Sequence, residues 1–309
     1  MSEPLAEVIL DRGRGPLVEK TLAWATQPRH TILTLADSRY PRHLLEIPDP
    51  PALLYVVGEV GLLSSPALAV VGSRNATPQG IENARNFART LSDSGLTIVS
   101  GLALGVDGAA HAGGLQGRGS TIAVLGTGID IVYPKRNEAL ANEISLRGAL
   151  VSEFPLGTPP KTANFPSRNR LISGLSRGCL VVEAAIDSGS LITARLAVEQ
   201  GRDVFSIPGS IHSPLSKGCH ALIKQGAKLV ETAQDVLEES GFASGAVDRS
   251  PTSAESHLVL EKMGFDSCDI DRLISRTGLT AEVLSAMLLE LELEGKIAPL
   301  PGGLYQRIL

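Results

Sequence analysis

Two hydropathy patterns alternate along most of the chain. Short apolar runs without polar alternation fall at 68–72, 96–100, 121–125, 149–152, 179–185 and 203–207. Between them lie stretches with helical spacing at 78–94, 106–115, 137–147, 190–200 and 218–225. Runs rich in Val, Ile and Leu with no polar face predict strands buried on both sides. Strands separated by helices predict βαβ crossovers and a parallel sheet. The fold class read from this pattern is α/β, a Rossmann-like, doubly wound and mostly parallel sheet.

Before this domain the pattern weakens. Residues 1–36 show helical spacing around Leu5, Val8, Ile9, Leu17, Leu22 and Trp24, interrupted by Pro16 and Pro28, and predict a short helical N-terminal segment. The prolines of Tyr40-Pro41 and Pro48-Asp49-Pro50-Pro51 pin an extended connector leading to an apolar run at 52–58. The main domain is expected over 37–240. The small, polar stretch 241–253 reads as a linker. Residues 254–309 carry three helical patterns and two short strands around a Pro-Gly-Gly turn. That is the pattern of a winged-helix-like domain.

In a doubly wound sheet ligands sit beyond the carboxyl ends of the strands. Gly72-Ser73-Arg74-Asn75, Ser100-Gly101, Gly126-Thr127-Gly128, Glu153-Phe154-Pro155, Asp187-Ser188-Gly189-Ser190 and Pro208-Gly209-Ser210 each follow a strand, so all six are expected on one edge. The segment Asn164-Phe165-Pro166-Ser167-Arg168-Asn169-Arg170, read as a loop, brings two arginines and an aromatic ring to the same edge. Arg74 on a strand tip suits a bidentate phosphate contact, with a salt bridge to a neighbouring helix as the alternative. Phe165 suits base stacking, with a core anchor as the alternative. Lys217 extends the basic track; Lys224 and Lys228 read as solvated surface.

Composition narrows the chemistry. The chain has 309 residues and a formal net charge of −5, so a polyanion site must be a local patch. Its three cysteines form no CxxC pair, which points to neither a zinc site nor a disulfide framework. The acidic start lacks the basic region of a signal peptide, and no apolar run approaches a membrane span, so a cytoplasmic, soluble protein is the expectation. No GxxxxGK[ST] is present, and Ile131 stands where a GxGxxG starting at Gly126 needs its third glycine, which argues against a P-loop or dinucleotide site. Gly101, Gly105 and Gly108 fit either phosphate binding at a helix start or close packing. Asp107 and His111, four residues apart, read as a helix cap and a structural hydrogen bond rather than as catalytic groups. Glu153 and Glu183 read as ion-pair partners of the rim arginines, though Glu183 also motivates an alternative, a phosphoribohydrolase-like nucleotide hydrolase. The C-terminal domain has nine acidic residues against five basic ones from residue 254 on, and none of the basic ones lies between Thr280 and Glu294. Such a surface repels duplex phosphate, so a protein-interaction or regulatory element is expected there.

These motifs, in order, resemble the DprA/Smf family of DNA-processing proteins. The resemblance spans about 40–236. It rests on Val71-Gly72-Ser73-Arg74, Ser100-Gly101-Leu102-Ala103-Leu104-Gly105-Val106-Asp107, Tyr133-Pro134, Phe165-Pro166-Ser167-Arg168-Asn169-Arg170, Ser188-Gly189-Ser190 and Pro208-Gly209. It implies a protein without established catalytic activity that binds single-stranded DNA, dimerises, and loads RecA onto strands covered by single-strand-binding protein during natural transformation. It implies a DNA site at Arg74, Phe165, Arg168, Asn169, Ser188, Gly189, Ser190 and Lys217; with Gly72, Ser73, Asn75 and Arg170 added from the rim itself, the expected site has twelve residues, and no cofactor is expected. Many members carry a longer helical domain in front than the 36 residues found here.

Overall fold

The computed structural model describes residues 15–240, 259–260, 262–264, 267–293, 295–300 and 303–308. The chain divides into two compact units, residues 1–244 and 245–309. The segment 241–253, read as a linker, lies outside the described residues, as do most of the first helical pattern of the C-terminal domain and the first half of the N-terminal one.

The first unit is built on one sheet. Its central strands are β3 (Ala67–Val71), β4 (Thr97–Ser100), β5 (Thr121–Val124), β6 (Ala149–Ser152), β7 (Gly178–Val181), β8 (Asp203–Ser206) and β9 (Lys228–Leu229). Successive residues of β3 enter different cores. Ala67, Ala69 and Val71 pack on one side, Leu68 and Val70 on the other. Both faces are therefore dry, which is what the unalternating runs required.

Around these strands run α1 (Pro16–Ala25), α2 (Arg42–Leu45), α3 (Pro78–Asp93), α4 (Val106–Gly114), α5 (Glu138–Arg147), α6 (Asn164–Gly174), α7 (Ser190–Glu199), α8 (Lys217–Lys224) and α9 (Ala233–Glu239). With β1 (His30–Thr34) and β2 (Leu53–Gly58), the strand order is β1-β2-β6-β5-β4-β3-β7-β8-β9. From β6 to β9 all neighbours are parallel, while β2 runs antiparallel to β6 and β1 antiparallel to β2.

Two sequence expectations are corrected. The N-terminal segment is not helical throughout: residues 30–34 form strand β1 on the edge of the sheet, in register with β2 from His30↔Val57 to Thr34↔Leu53. The alternating, β-branched His-Thr-Ile-Leu-Thr favours that pairing, and Trp24 at the end of α1 locks it by stacking near His30 (4.4 Å between ring centroids) and Tyr55 (5.6 Å). The cationic segment 164–170 is not a loop but the first turns of helix α6. Pro166 is tolerated there because first-turn N–H groups have no intrahelical acceptor. Helical spacing then turns Arg168, Leu171 and Ile172 inward together.

The chain leaves β3 in one direction to build β4, β5 and β6, then returns to the other side of β3 to add β7, β8 and β9. The topological switch point thus lies between β3 and β7. Their carboxyl-end loops are tied by Ser73 N–H donating to the Glu183 carbonyl (2.7 Å).

The second unit contains β10 (Cys268–Asp269), α10 (Ile270–Thr277), α11 (Ala281–Leu293), β11 (Ile297–Leu300) and β12 (Leu304–Arg307), with β12 between β10 and β11. Val259, Met263, Leu273, Leu284, Met287, Leu288 and Leu291 fill its own core. Two helices in a tight turn followed by a small antiparallel sheet make the winged-helix arrangement expected from the sequence.

Candidate nucleic-acid interface

A cleft of about 660 Å³ opens at the switch point. Three elements wall it: the loop Gly72, Ser73, Arg74 and Asn75 after β3, the loop Asp187, Ser188, Gly189 and Ser190 after β7, and the first turns of α6 with Phe165, Arg168 and Asn169. Ten of the twelve residues singled out from the sequence line this one cleft. Arg170 and Lys217 are not among the lining residues. The Arg170 guanidinium is committed to Glu153 through two hydrogen bonds (2.5 and 2.6 Å) and to Asp49 (3.1 Å), so it fastens α6 to the connector. The Glu153 ion pair was the reading made from the sequence. Lys217 is exposed and donates to the Ile211 carbonyl (2.6 Å).

The convergence of six strand-end loops is also narrower than expected. Of the six motifs only Gly72–Asn75 and Asp187–Ser190, which flank the switch point, line the cleft; the connections after β4, β5 and β8 reach it through other residues, Ala103, Tyr133 and Leu215. The remaining wall includes Tyr133, Thr162 and Ile192, none of which the sequence reading placed in the site. For Tyr133 the signal was present: it is one of four tyrosines, set in a Tyr-Pro pair on a strand-end loop.

Arg74 is exposed, and its Cζ stands over the Phe165 ring, 5.7 Å from the centroid. That distance lies within the range of a cation–π contact. Arg74 forms no ion pair among the described residues, which leaves its guanidinium fork open to solvent. Phe165 is half-buried and has Tyr133 beside it at 5.7 Å. Its seat depends on Gly126, where an added Cβ would stand 2.7 Å from Phe165 Cδ1. The ring therefore anchors the helix start while keeping an edge in the cleft, and the two readings of Phe165 are compatible.

Arg168 plays a different part. It is 4% exposed, and its Nη1 donates to the Gly101 carbonyl (2.8 Å) and to that of Val124. It sits beneath the cleft and clamps the carboxyl ends of β4 and β5. Burial pushes its pKa down to about 10, against the opposing pull of Asp107, so it remains cationic at neutral pH. The buried Asp107 carboxylate accepts from the Gly101 (3.1 Å) and Ala103 (3.4 Å) N–H groups. Burial raises its pKa, and the Arg168 charge and those N–H groups oppose the rise. Asp107 thus caps the loop before α4 rather than α4 itself.

The glycines here serve close packing. Gly105 has φ +77°, and a Cβ there would stand 2.3 Å from the Ser73 carbonyl oxygen. Two of the first three N–H groups of α4 are already used, Val106 on Ser73 and Gly108 on Ala103, which removes those two from phosphate binding. Glu183 is likewise committed. It accepts from Thr77 N–H (2.9 Å) and Oγ1–H (2.6 Å), fixing the start of α3 instead of pairing with an arginine. Among the described residues no group of three or more His, Cys, Asp or Glu side chains could hold a metal, and no helix is long and apolar enough to cross a membrane.

His111 is structural, as read from its position. Thr121 Oγ1–H donates to the Ile98 carbonyl (2.7 Å), so the His111 Nδ1–H donates to Thr121 Oγ1 (2.7 Å). Nε2 then accepts from Leu102 N–H (3.3 Å). This holds Leu102 at φ +59°, a left-handed conformation leucine disfavours. Burial, aided by the Arg168 charge, pushes the His111 pKa down to about 3. The unfolded chain takes up a proton near its ordinary pKa of about 6.5 that the native state refuses, so stability falls as pH drops below that value. At pH 5 the cost is about 2 kcal/mol. Urea denaturation of the native chain and His111→Gln at pH 7 and pH 5 should show the native chain losing that much more than the variant; equal losses would contradict the assignment.

A mostly parallel α/β sheet with an arginine-bearing cleft at its switch point, in one chain with a winged-helix unit, is the class of protein this fold defines. The model of DNA recombination-mediator protein A matches residues 31–241, and that of the DprA winged helix domain matches 245–303. The chain belongs to the DNA recombination-mediator protein A family. It is 46% identical over 303 residues to Protein Smf of Escherichia coli, covering 94% of this chain and 81% of that protein. It is similar to the X-ray structure of DNA processing protein A from Streptococcus pneumoniae, with a TM-score of 0.67, 48% identity, and coverage of 72% of this chain and 77% of the other. It also resembles DNA processing protein A from Helicobacter pylori, a structure described as giving insight into a single-stranded DNA binding mode. There the TM-score is 0.62 at 32% identity, covering 68% of this chain and 95% of the other.

Proposed function

We propose that the cleft at the switch point binds single-stranded DNA without sequence preference, and that the chain acts as a recombination mediator. One observation carries this reading: an exposed Arg74 with no ion pair among the described residues stands over the half-buried Phe165 ring, in a cleft walled in part by two small-residue loops. A cation aimed at backbone phosphate beside a ring that accepts any base is the combination that grips an unpaired strand. The volume falls within the roughly 300–1,000 Å³ of clefts that hold a small ligand, and suits a nucleotide rather than a duplex. Membership of a DNA recombination-mediator family supports a DNA ligand, and the single-stranded DNA binding mode of the Helicobacter pylori relative supports an unpaired one. On this reading the protein works in the cytoplasm as a homodimer. It takes strands covered by single-strand-binding protein and loads RecA onto them, with no cofactor and no reaction of its own. Glu183, which motivated a hydrolase, is engaged by Thr77, so no observation favours that alternative.

Filter binding of oligo-dT, a duplex of equal length and dTMP across a salt series tests this. Oligo-dT should bind tightest, with log affinity falling by about 0.7 per log salt for each phosphate neutralised. Phe165→Ala should weaken oligo-dT by about 1–3 kcal/mol, the worth of one stacked base. Equal affinity for duplex, or tighter binding of dTMP, would overturn the reading.

A further inference from the structure

Three of the four tyrosines serve the packed interior: Tyr40 and Tyr55 are buried, and Tyr305 packs on the core of the second unit. Tyr133 does not. It lines the cleft, is 47% exposed, and its hydroxyl has no hydrogen-bond partner among the described residues. The connection that carries it is nevertheless fastened on both sides of the ring. Thr127 Oγ1–H donates to the Ile131 carbonyl (2.6 Å), and Val132 packs on the core beside β5. Asn137 Nδ2–H donates to the Leu102 (2.9 Å) and Ala103 (3.1 Å) carbonyls. The backbone that bears the ring is thus held before any ligand arrives, which lowers the ordering cost of binding.

The Tyr133 and Phe165 ring centroids are 5.7 Å apart with their planes at 37°. Stacked bases lie about 3.4 Å apart, so a base clamped between two rings needs them parallel and about 6.8 Å apart. These two rings are too close and too tilted to share one base. Each has to take its own, on its open side. On the reading of the cleft as a single-stranded DNA site, we propose that Tyr133 is a second base seat: one base lies on Phe165 and the next on Tyr133. The 5.7 Å between the rings exceeds the roughly 3.4 Å rise of a stacked strand, so the two bases part from each other and each ring replaces the neighbour its base gives up. What the cleft recognises is then a stretched dinucleotide step, which a duplex with its bases stacked does not offer.

The test compares oligo-dT with an abasic deoxyribose-phosphate strand of equal length by filter binding to the full chain. The native chain should prefer oligo-dT. Tyr133→Ala should weaken oligo-dT by about fivefold or more, the loss of one stacked base, and leave the abasic strand within about twofold of native. Because the ring is exposed, the thermal transition should persist in this variant. Tyr133→Phe keeps the ring and should restore oligo-dT binding. Each ring holding its own base, the double variant Tyr133→Ala/Phe165→Ala should lose about the product of the two single losses. Equal weakening of both strands by Tyr133→Ala would overturn the seat, since the ring would then only position Phe165 and Arg74. So would a Tyr133→Phe as weak as Tyr133→Ala, which assigns the contact to the hydroxyl, or a double variant no weaker than Phe165→Ala. A Tyr133→Ala chain that keeps the native preference for oligo-dT overturns the seat alone. A native chain without that preference overturns it together with the reading on which it rests.

Discussion

Arg168→Ala is expected to damage the fold before it damages any ligand contact. The guanidinium is buried beneath the cleft and satisfies the Gly101 and Val124 carbonyls from one helix. Alanine leaves both carbonyls without that donor and leaves the buried Asp107 carboxylate without its nearest counter-charge. Removing one member of a buried charge arrangement costs about 3–5 kcal/mol, and each orphaned acceptor adds to that. In a domain of this size the melting temperature should fall by about 10 °C. Arg168→Lys keeps the charge but not the planar fork, and should fall between alanine and the native chain. Urea denaturation measures the effect directly. A native-like midpoint combined with lost oligo-dT binding would mean that Arg168 touches the ligand instead.

Arg74→Ala should behave in the opposite way. The side chain is exposed and rests on Phe165, so its removal should leave the thermal transition within a degree or two of the native chain. Affinity for oligo-dT, however, loses a charge-assisted contact worth about 1.5–3 kcal/mol, or roughly 10- to 100-fold at low salt. If the lost contact is to one phosphate, the salt slope should drop by about 0.7. A variant with unchanged affinity and slope would remove Arg74 from the site. The two arginines, equivalent as rim cations in the sequence, are thus separated by one pair of measurements: stability for Arg168, salt-dependent affinity for Arg74.

The legible part of the site was its chemistry. Gly72, Ser73, Arg74 and Asn75 after one strand, and Asp187 to Ser190 after another, could be named because strand ends are readable and small polar residues there have few structural uses. The illegible part was orientation. Asn164 to Arg170 gave no periodicity of its own, with a proline inside and polar residues around it, so it read as a loop. In the fold it is a helix start, and that single change turns Arg168 inward, Arg170 towards Glu153, and leaves Asn169 in the cleft. Strand β1 was missed for a related reason. Five alternating, β-branched residues beside a helical pattern are too short a signal to read as a strand until β2 is present to pair with them.

By itself the sequence determined the doubly wound sheet, the winged helix and the residue types gathered at one edge, because strand burial and helix periodicity are short-range patterns that a linear reading contains. Tertiary structure decided which of those residues face a ligand. That depends on strand order, which places the switch point between β3 and β7, and on where each charged group finds its partner. Glu153, Asp49 and Thr77 lie 17, 121 and 106 residues from the groups they engage, and no pattern along the chain records a distance closed only by folding.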